Sequence, residues 1–339
     1  MKYQHIVIDR FGGPEVLRLV DESGLPEPNA GEVRVKVIAA GTGFTDTIVR
    51  RGNYVAVKQK PPLTPGYDFV GVVDKLGAGV DSLRVGQTVA DMPVIGGYTQ
   101  YIVRPANRLV PVPDGVDPVE AVCMPLSFLT AHQMITRVAQ LRRGQSILIH
   151  GASGAAGSAM LVLGAQMGLK MYGSCHSRKF PLLERYGCIP IDYRNEDFEA
   201  RIRALPGGGV DVVFDAIGGD HWARSYRCLK RGGLLVGYGA QNIAKNDDSV
   251  FKVLLGFFKL MAGWKLVPDG RRTAFYNIQS RREKIPAEFD IDLRALFELL
   301  REGAIKPIVA GTYPLSAAQE VHRLIDAGDV VGKIVLLPF

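Results

Sequence analysis

The sequence predicts a two-domain α/β protein, a β-rich domain joined to a doubly wound parallel sheet. Three observations carry this. At 339 residues the chain is too long for one small core. Near residue 118, short strands punctuated by Gly and Pro give way to strands that alternate with helices. Within that second region, ILIHGASGAAGSAM joins a buried strand to a helix through a glycine-containing turn.

In the first region, residues 3–120, EVRVKVIAA (32–40) alternates and then becomes continuously apolar. GVVDKLG (71–77), QTVADM (87–92) and YTQYIV (98–103) are also strand-like. Turn signals recur in FGGPE, PEPNAGE, GAGVDS and VPDGVDP, so this half reads as all-β and barrel-like. Residues 120–141 have helical spacing, with Pro125 as a break or a start. Strands follow at 146–152, 170–175, 210–218 and 234–239, and helices at 158–168 and 179–187, an alternation that implies a parallel sheet. Residues 249–267 form an apolar helix whose Lys252, Gly256, Lys259 and Gly263 share one narrow face. Such a helix suits burial, a lid or a subunit contact, with a membrane surface as the lesser reading. Helices at 290–303 and 315–327 and a last strand, GKIVLLPF, are expected to return to the first domain. The domains expected are therefore 1–120 with 290–339, and 121–289.

Composition excludes several classes. Hydrophobic content of 47% and charged content of 22% suit a folded globular chain rather than a disordered one. Cys123, Cys175, Cys188 and Cys228 show no CxxC spacing and no Cys-His cluster, which argues against disulfides and structural zinc. No secretory signal is visible in MKYQHIVIDRFGG, and no uncharged apolar run reaches the ~20 residues of a membrane span. A cytoplasmic protein is expected. The net charge of +7 is dispersed, without a basic tract, so no nucleic-acid partner is expected.

The turn carries the most chemistry. Ala152, Ser153, Gly154, Ala155, Ala156 and Gly157 match a dinucleotide fingerprint with Ala at the first glycine. Gly154 lets backbone approach a pyrophosphate held at a helix N-terminus, and Gly157 permits close helix–strand packing. A P-loop would need Lys where Ser158 stands, and a nucleophile elbow would need Gly at Ala155. An NAD site needs a carboxylate about 20 residues beyond the glycines. No acid occurs here from Lys170 until Glu184, whereas Ser177, Arg178 and Lys179 offer a hydroxyl and positive charge to a 2′-phosphate. NADP(H) is the expected cofactor.

The ordered set PNAGEVRVKVIAAGTGFTDTIVRRGNY, TPGYDFVGVV, VGQTVA, LTA, IHGASGAAG, VDVVFDAIGG, LKRGGLLVGYG and GKIVL spans nearly the whole chain. In it the sequence resembles the medium-chain dehydrogenase/reductase superfamily, and within that the zinc-independent quinone oxidoreductase (zeta-crystallin-like) branch. The resemblance implies a GroES-like catalytic domain followed by a Rossmann domain. It places Ser153, Gly154, Ala155 and Ala156 on the pyrophosphate, Lys179 on the 2′-phosphate and Tyr193 beside the adenosine. Gly237, Tyr238 and Gly239 fall near the ribose and nicotinamide, and Thr130 close to the nicotinamide. Tyr54 matches a residue at the active-site mouth. Zinc-containing relatives carry G-x-C-x-x-D and G-H-E-x-x-G, where this chain has Gly43 for Cys and Tyr67 for His. The four-cysteine structural lobe is also absent between Asp91 and Tyr98, and no zinc is expected. The branch often has Asn at Gly43 and Tyr at Ile48, so these departures bear on the substrate.

Without a Lewis acid, hydride transfer requires an electrophile that is already activated, such as a quinone or an α,β-unsaturated carbonyl. Tyr54 is the candidate to hydrogen-bond the carbonyl or relay a proton. Asp46 and Asp68 are expected to be structural, as are His132, His150, His176 and His221. The alternative function is an NADPH-binding non-enzymatic or membrane-peripheral protein, suggested by the apolar segment. Relatives commonly form homodimers or tetramers through an edge strand of the nucleotide-binding domain, for which RRTAFYNI (271–278) is the candidate, and a homodimer is expected.

Overall fold

The computed structural model describes residues 1–239 and 250–339, and within them every side chain except those of residues 250–254 and Lys265. The chain forms two compact units, one of residues 1–129 and 286–339, the other of residues 130–285. The sequence puts the boundaries after 120 and 289.

The first unit pairs β1 (Lys2–Ile8) with β2 (Leu17–Ser23) as an antiparallel hairpin. Its larger sheet holds β3 (Glu32–Gly41), β4 (Asp68–Leu76), β5 (Thr88–Asp91), β6 (Tyr101–Pro105), β7 (Val110–Pro111), β14 (Val309–Pro314) and β15 (Lys333–Leu337). The order is β14-β15-β3-β4-β5-β7, with β6 on β3. Alternation in β3 turns Val33, Val35 and Val37 into one core with Phe69, Val73 and Val89. The tail joins this core through β15, which pairs Val335 and Leu336 with Gly41 and Ala40 of β3.

The all-β expectation for this half misses one helix, Phe44–Arg50. Its N-terminus is closed by Asp46, whose Oδ2 accepts the Gly43 amide at 2.9 Å. Arg50 is fully buried, its guanidinium donating to Asp326 at 2.7 Å and lying 3.1 Å from His322 Nδ1, both on the helix Ala318–Ala327. The helical stretch expected from residue 120 is segmented into Pro118–Ala121, a wider-turned Met124–Phe128, Leu129–Gln133 and Met134–Val138. Pro125 lies in the first turn of its segment, where a missing N–H costs least.

The second unit is a six-stranded sheet in the order β10-β9-β8-β11-β12-β13, every neighbouring pair parallel. The strands are β8 (Ser146–His150), β9 (Lys170–Cys175), β10 (Cys188–Asp192), β11 (Val210–Asp215), β12 (Leu229–Gly237) and β13 (Arg272–Phe275). All five residues of β8 are buried, as a central parallel strand requires. The strand expected over 210–218 stops at Asp215 because Asp215 Oδ1 accepts the amides of Ile217 and Gly218, at 2.7 and 3.3 Å, and turns the chain. The helix expected from 158 begins at Ala155, directly after extended Gly154, and ends at left-handed Gly168.

Of the apolar segment 249–267, Ser249 and the side chains of Lys252 and Lys265 lie outside the described residues. The rest forms helix Val250–Met261 and a short turn of helix Gly263–Leu266. Leu260 is buried in the core around Trp222, whereas Phe258 and Met261 are exposed. β13, inside the segment 271–278, is an edge strand.

Candidate functional site

The phosphate-type turn is built by strand β8 and the helix Ala155–Met167. Gly151 takes a left-handed φ of 68°, its carbonyl accepts the Gly154 amide at 3.0 Å, and Ala152 donates to Ser174 at 3.1 Å. Gly154 opens the helix with no side chain capping its first turn, which leaves the N-terminal amides to an anion. A Cβ on Gly157 would lie 2.3 Å from the Gly151 carbonyl oxygen, so the turn closes only with glycine there. The geometry fits a bound pyrophosphate.

The loops after β9 and β10 lie side by side, since Cys175 and Asp192 are in register and the Tyr193 amide reaches the Cys175 carbonyl at 3.4 Å. They present Ser177 and Arg178 exposed, Lys179 half-buried, and Tyr193 exposed with the Arg194 guanidinium 5.9 Å from its ring. The nearby acid, Asp192, is committed to its own turn. It accepts the Arg194 amide at 3.0 Å and Asn195 Nδ2 at 2.9 Å, and these bonds hold its carboxyl below the usual carboxylate range. At the end of β12, Tyr238 donates its amide to the Asp215 carbonyl at 3.1 Å, and a Cβ on Gly239 would meet the Ala216 carbonyl at 2.8 Å.

Ser153 to Gly157, Ser177 to Lys179, Tyr193 and Gly237 to Gly239 are thus gathered where the parallel strands end, the edge at which open α/β sheets bind ligands. Thr130 stands apart on the helix Leu129–Gln133 and is buried. Tyr54 belongs to the other unit.

There Tyr54 packs on the apolar core, its hydroxyl 2.6 Å from that of Tyr67 and the rings edge to face. Burial pushes the Tyr67 hydroxyl well above the ordinary tyrosine value, and Tyr54, Asp46 and Asp68 add to the effect. Asp68 Oδ2 accepts from Lys333 Nζ at 2.6 Å, with both groups buried. Burial, then the charge of Asp68, push Asp46 up to about 7. The corner offers zinc no donor set. Gly43 has no side chain, Tyr67 keeps its proton, and Asp68 already faces an ammonium.

Comparison with known proteins decides the family. Residues 29–114 match the alcohol dehydrogenase GroES-like domain, and residues 188–336 match a family described as zinc-binding dehydrogenase. The chain is 30% identical to a 2-haloacrylate reductase of Burkholderia sp., with 98% of each chain covered. The chain belongs to the medium-chain dehydrogenase/reductase superfamily, on its quinone oxidoreductase branch.

Other proteins are similar along nearly the whole of this chain. A synaptic vesicle membrane protein VAT-1 homolog of Danio rerio is 29% identical over 98% of this chain and 70% of its own. The Escherichia coli quinone oxidoreductase complexed with NADPH superposes with a TM-score of 0.87 at 28% identity, covering 99% of this chain and 100% of that one. As a member of this superfamily, the protein is an oxidoreductase of the nicotinamide-dependent kind. Sequence reasoning missed Lys333 and the hydroxyl pairing of Tyr67. It also missed that His150 and His221, read as isolated structural residues, meet Asp215 in the second unit. Histidine and aspartate 65 residues apart in sequence carry no local signal of such a meeting.

Proposed function

We propose that the protein is a zinc-independent, NADPH-dependent reductase of quinones or α,β-unsaturated carbonyl compounds. The observation that carries this reading is the loop after β9, where Ser177, Arg178 and Lys179 stand in place of a ribose-binding carboxylate and Asp192 is engaged by its own turn. When bound, NADPH supplies the hydride. The amides opening the helix Ala155–Met167 hold the pyrophosphate, with Ser153, Gly154, Ala155, Ala156 and Gly157 forming the turn. Ser177, Arg178 and Lys179 bind the 2′-phosphate and Tyr193 flanks the adenosine. Thr130, Gly237, Tyr238 and Gly239 orient the nicotinamide end.

Tyr54 hydrogen-bonds the substrate oxygen and hands on a proton, and Tyr67, kept protonated by burial, donates to the Tyr54 hydroxyl and fixes its direction. Since the corner supplies no Lewis acid, the substrate has to arrive as an activated electrophile. Oxidation of NADPH by a panel of quinones and enones tests the reading. NADPH should be preferred over NADH, and R178D/K179E should erase about tenfold of that preference. Protein that binds NADPH yet oxidises it with no member of the panel would sink the proposal. The protein is further proposed to act in the cytoplasm as a homodimer joined through the edge strand β13, which light scattering on a sizing column would check.

A second reading, a non-enzymatic or membrane-peripheral NADPH-binding protein, draws on the exposed Phe258, Met261 and Leu266 and on the vesicle-protein relatives. No helix among the described residues is long and apolar enough to cross a membrane. Failure to co-sediment with liposomes would remove the main support of this reading.

A further inference from the structure

Two histidines and an aspartate from three stretches of chain meet at the ends of β8 and β11. His150 ends β8, Asp215 ends β11, and His221 opens the helix His221–Arg227. One ligand atom from each lies within 4.8 Å of the other two. Ser225, one turn beyond His221, brings its hydroxyl to 3.1 Å from His150 Nε2 and 2.6 Å from Asp215 Oδ2. His221 Nδ1 lies 2.7 Å from the same carboxylate oxygen. β8 and β11 are neighbours in the sheet although two strands intervene in sequence, so the cluster sits where the strand order reverses.

We propose that His150 Nε2, His221 Nδ1 and Asp215 Oδ2, with the Ser225 hydroxyl in the fourth position, bind a divalent transition-metal ion of the zinc type. These residues belong to the unit of residues 130–285, whereas Gly43 and Tyr67, at the corner where zinc-containing relatives hold their metal, belong to the other unit.

Two imidazoles and a carboxylate are a donor set that suits zinc. The outer groups needed to aim such donors are already in place. His150 Nδ1 is 2.9 Å from Ser174 Oγ, a contact that holds the ring with Nε2 toward the cluster. Asp215 Oδ1 is taken by the Ile217 and Gly218 amides, which points Oδ2 inward.

Packing fixes the rings. Phe198 lies 4.7 Å from the His150 ring and 5.0 Å from that of His221, and the Arg224 guanidinium covers its outer face at 4.2 Å. His150 and Asp215 are buried, whereas the His221 side chain is 18% exposed and marks the way in. The 2.6 and 2.7 Å contacts are shorter than the roughly 3.3 Å between neighbouring ligand atoms of tetrahedral zinc, so the ion would spread these contacts by about 0.6–0.7 Å.

The test uses the metal-free full-length chain, titrated with zinc chloride by calorimetry and with cobalt(II) by visible absorption. The expected result is one zinc per chain and an intense tetrahedral cobalt band. H221A and D215N should each weaken zinc binding at least tenfold, and H5A, altered in the other unit, should bind as the parent does. Uptake of no zinc by the parent overturns the proposal, as does zinc binding that H221A and D215N leave unchanged. Should a variant not fold, the parent's cobalt spectrum decides alone, since a weak octahedral band also overturns the proposal.

Discussion

Two buried polar corners, one in each unit, treat the same residue type in opposite ways. Asp46 and Asp68 in the first unit and Asp215 in the second are all fully buried. Burial raises Asp46 and Asp68, and the Lys333 ammonium only partly offsets this for Asp68. Asp215 is instead pulled well below the usual range, because His221, His150 and Ser225 outweigh an equally severe burial. The count of donors explains the difference. Oδ1 of Asp46 and Oδ1 of Asp68 make no hydrogen bond of normal length and angle, whereas both oxygens of Asp215 accept two apiece or lie against an imidazole. Burial sets the cost of a charge, and the donors aimed at it set the sign of the outcome.

The largest test of this contrast removes the cation of the first corner. Lys333→Met should cost about 3–5 kcal/mol, because it leaves Asp68 buried beside no positive charge. Adding Asp68→Asn should restore a large part of the loss. Urea denaturation checks both, and a single-variant loss below about 1 kcal/mol would mean that Asp68 is already neutral.

Next comes crowding of the same corner. A Cβ at Gly41 would stand 2.2 Å from Asp68 Oδ1 and 2.6 Å from Lys333 Nζ, so Gly41→Ala should lower stability by about 1–3 kcal/mol. Thermal melting that matches the parent would show that the pair can move aside.

A pH series separates the corners further. With Asp46 raised to about 7, the folded state keeps a proton that the unfolded chain loses near its ordinary value. Asp46 therefore makes stability fall as pH rises from about 4 to 7. His150 and His322, pushed down to about 3, act in the opposite direction and add stability as pH rises toward their unfolded value. Asp46→Asn, which keeps an acceptor for the Gly43 amide, should gain on the parent across that window by on the order of 1–3 kcal/mol. Parallel stability–pH curves for the two proteins would refute this assignment.

The smallest expected effect is on Tyr67. Tyr67→Phe should cost about 1 kcal/mol of stability. If Tyr54 acts on substrate, it should also lower kcat several-fold with little change in KM. Steady-state rates with a quinone separate the two outcomes.

Much of the nucleotide-binding unit was legible in the sequence because its signals are local. The buried run of β8, the turn from Ser153 to Gly157 and the basic loop at Arg178 and Lys179 each speak within a few residues. The helix Phe44–Arg50 was not legible, because its start depends on one side-chain cap by Asp46 amid strand-like neighbours. The early stop of β11 was missed for a similar reason, since apolar pattern runs on through Ile217 while Asp215 bends the backbone. The reading of His150 and His221 as isolated residues failed because strand order, not sequence spacing, brings β8 beside β11.

The sequence by itself determined the fold class and the phosphate-type turn, which follow from periodicity and turn chemistry acting over short stretches of chain. Its resemblance to zinc-containing relatives added that Gly43 and Tyr67 stand where those carry Cys and His. Only the tertiary structure decided what each buried polar group faces: Lys333 on Asp68 across 265 residues, Tyr67 on Tyr54, and His221 with His150 on Asp215. Sheet order and register make those contacts, and in a buried site the contact decides whether a carboxylate keeps its charge.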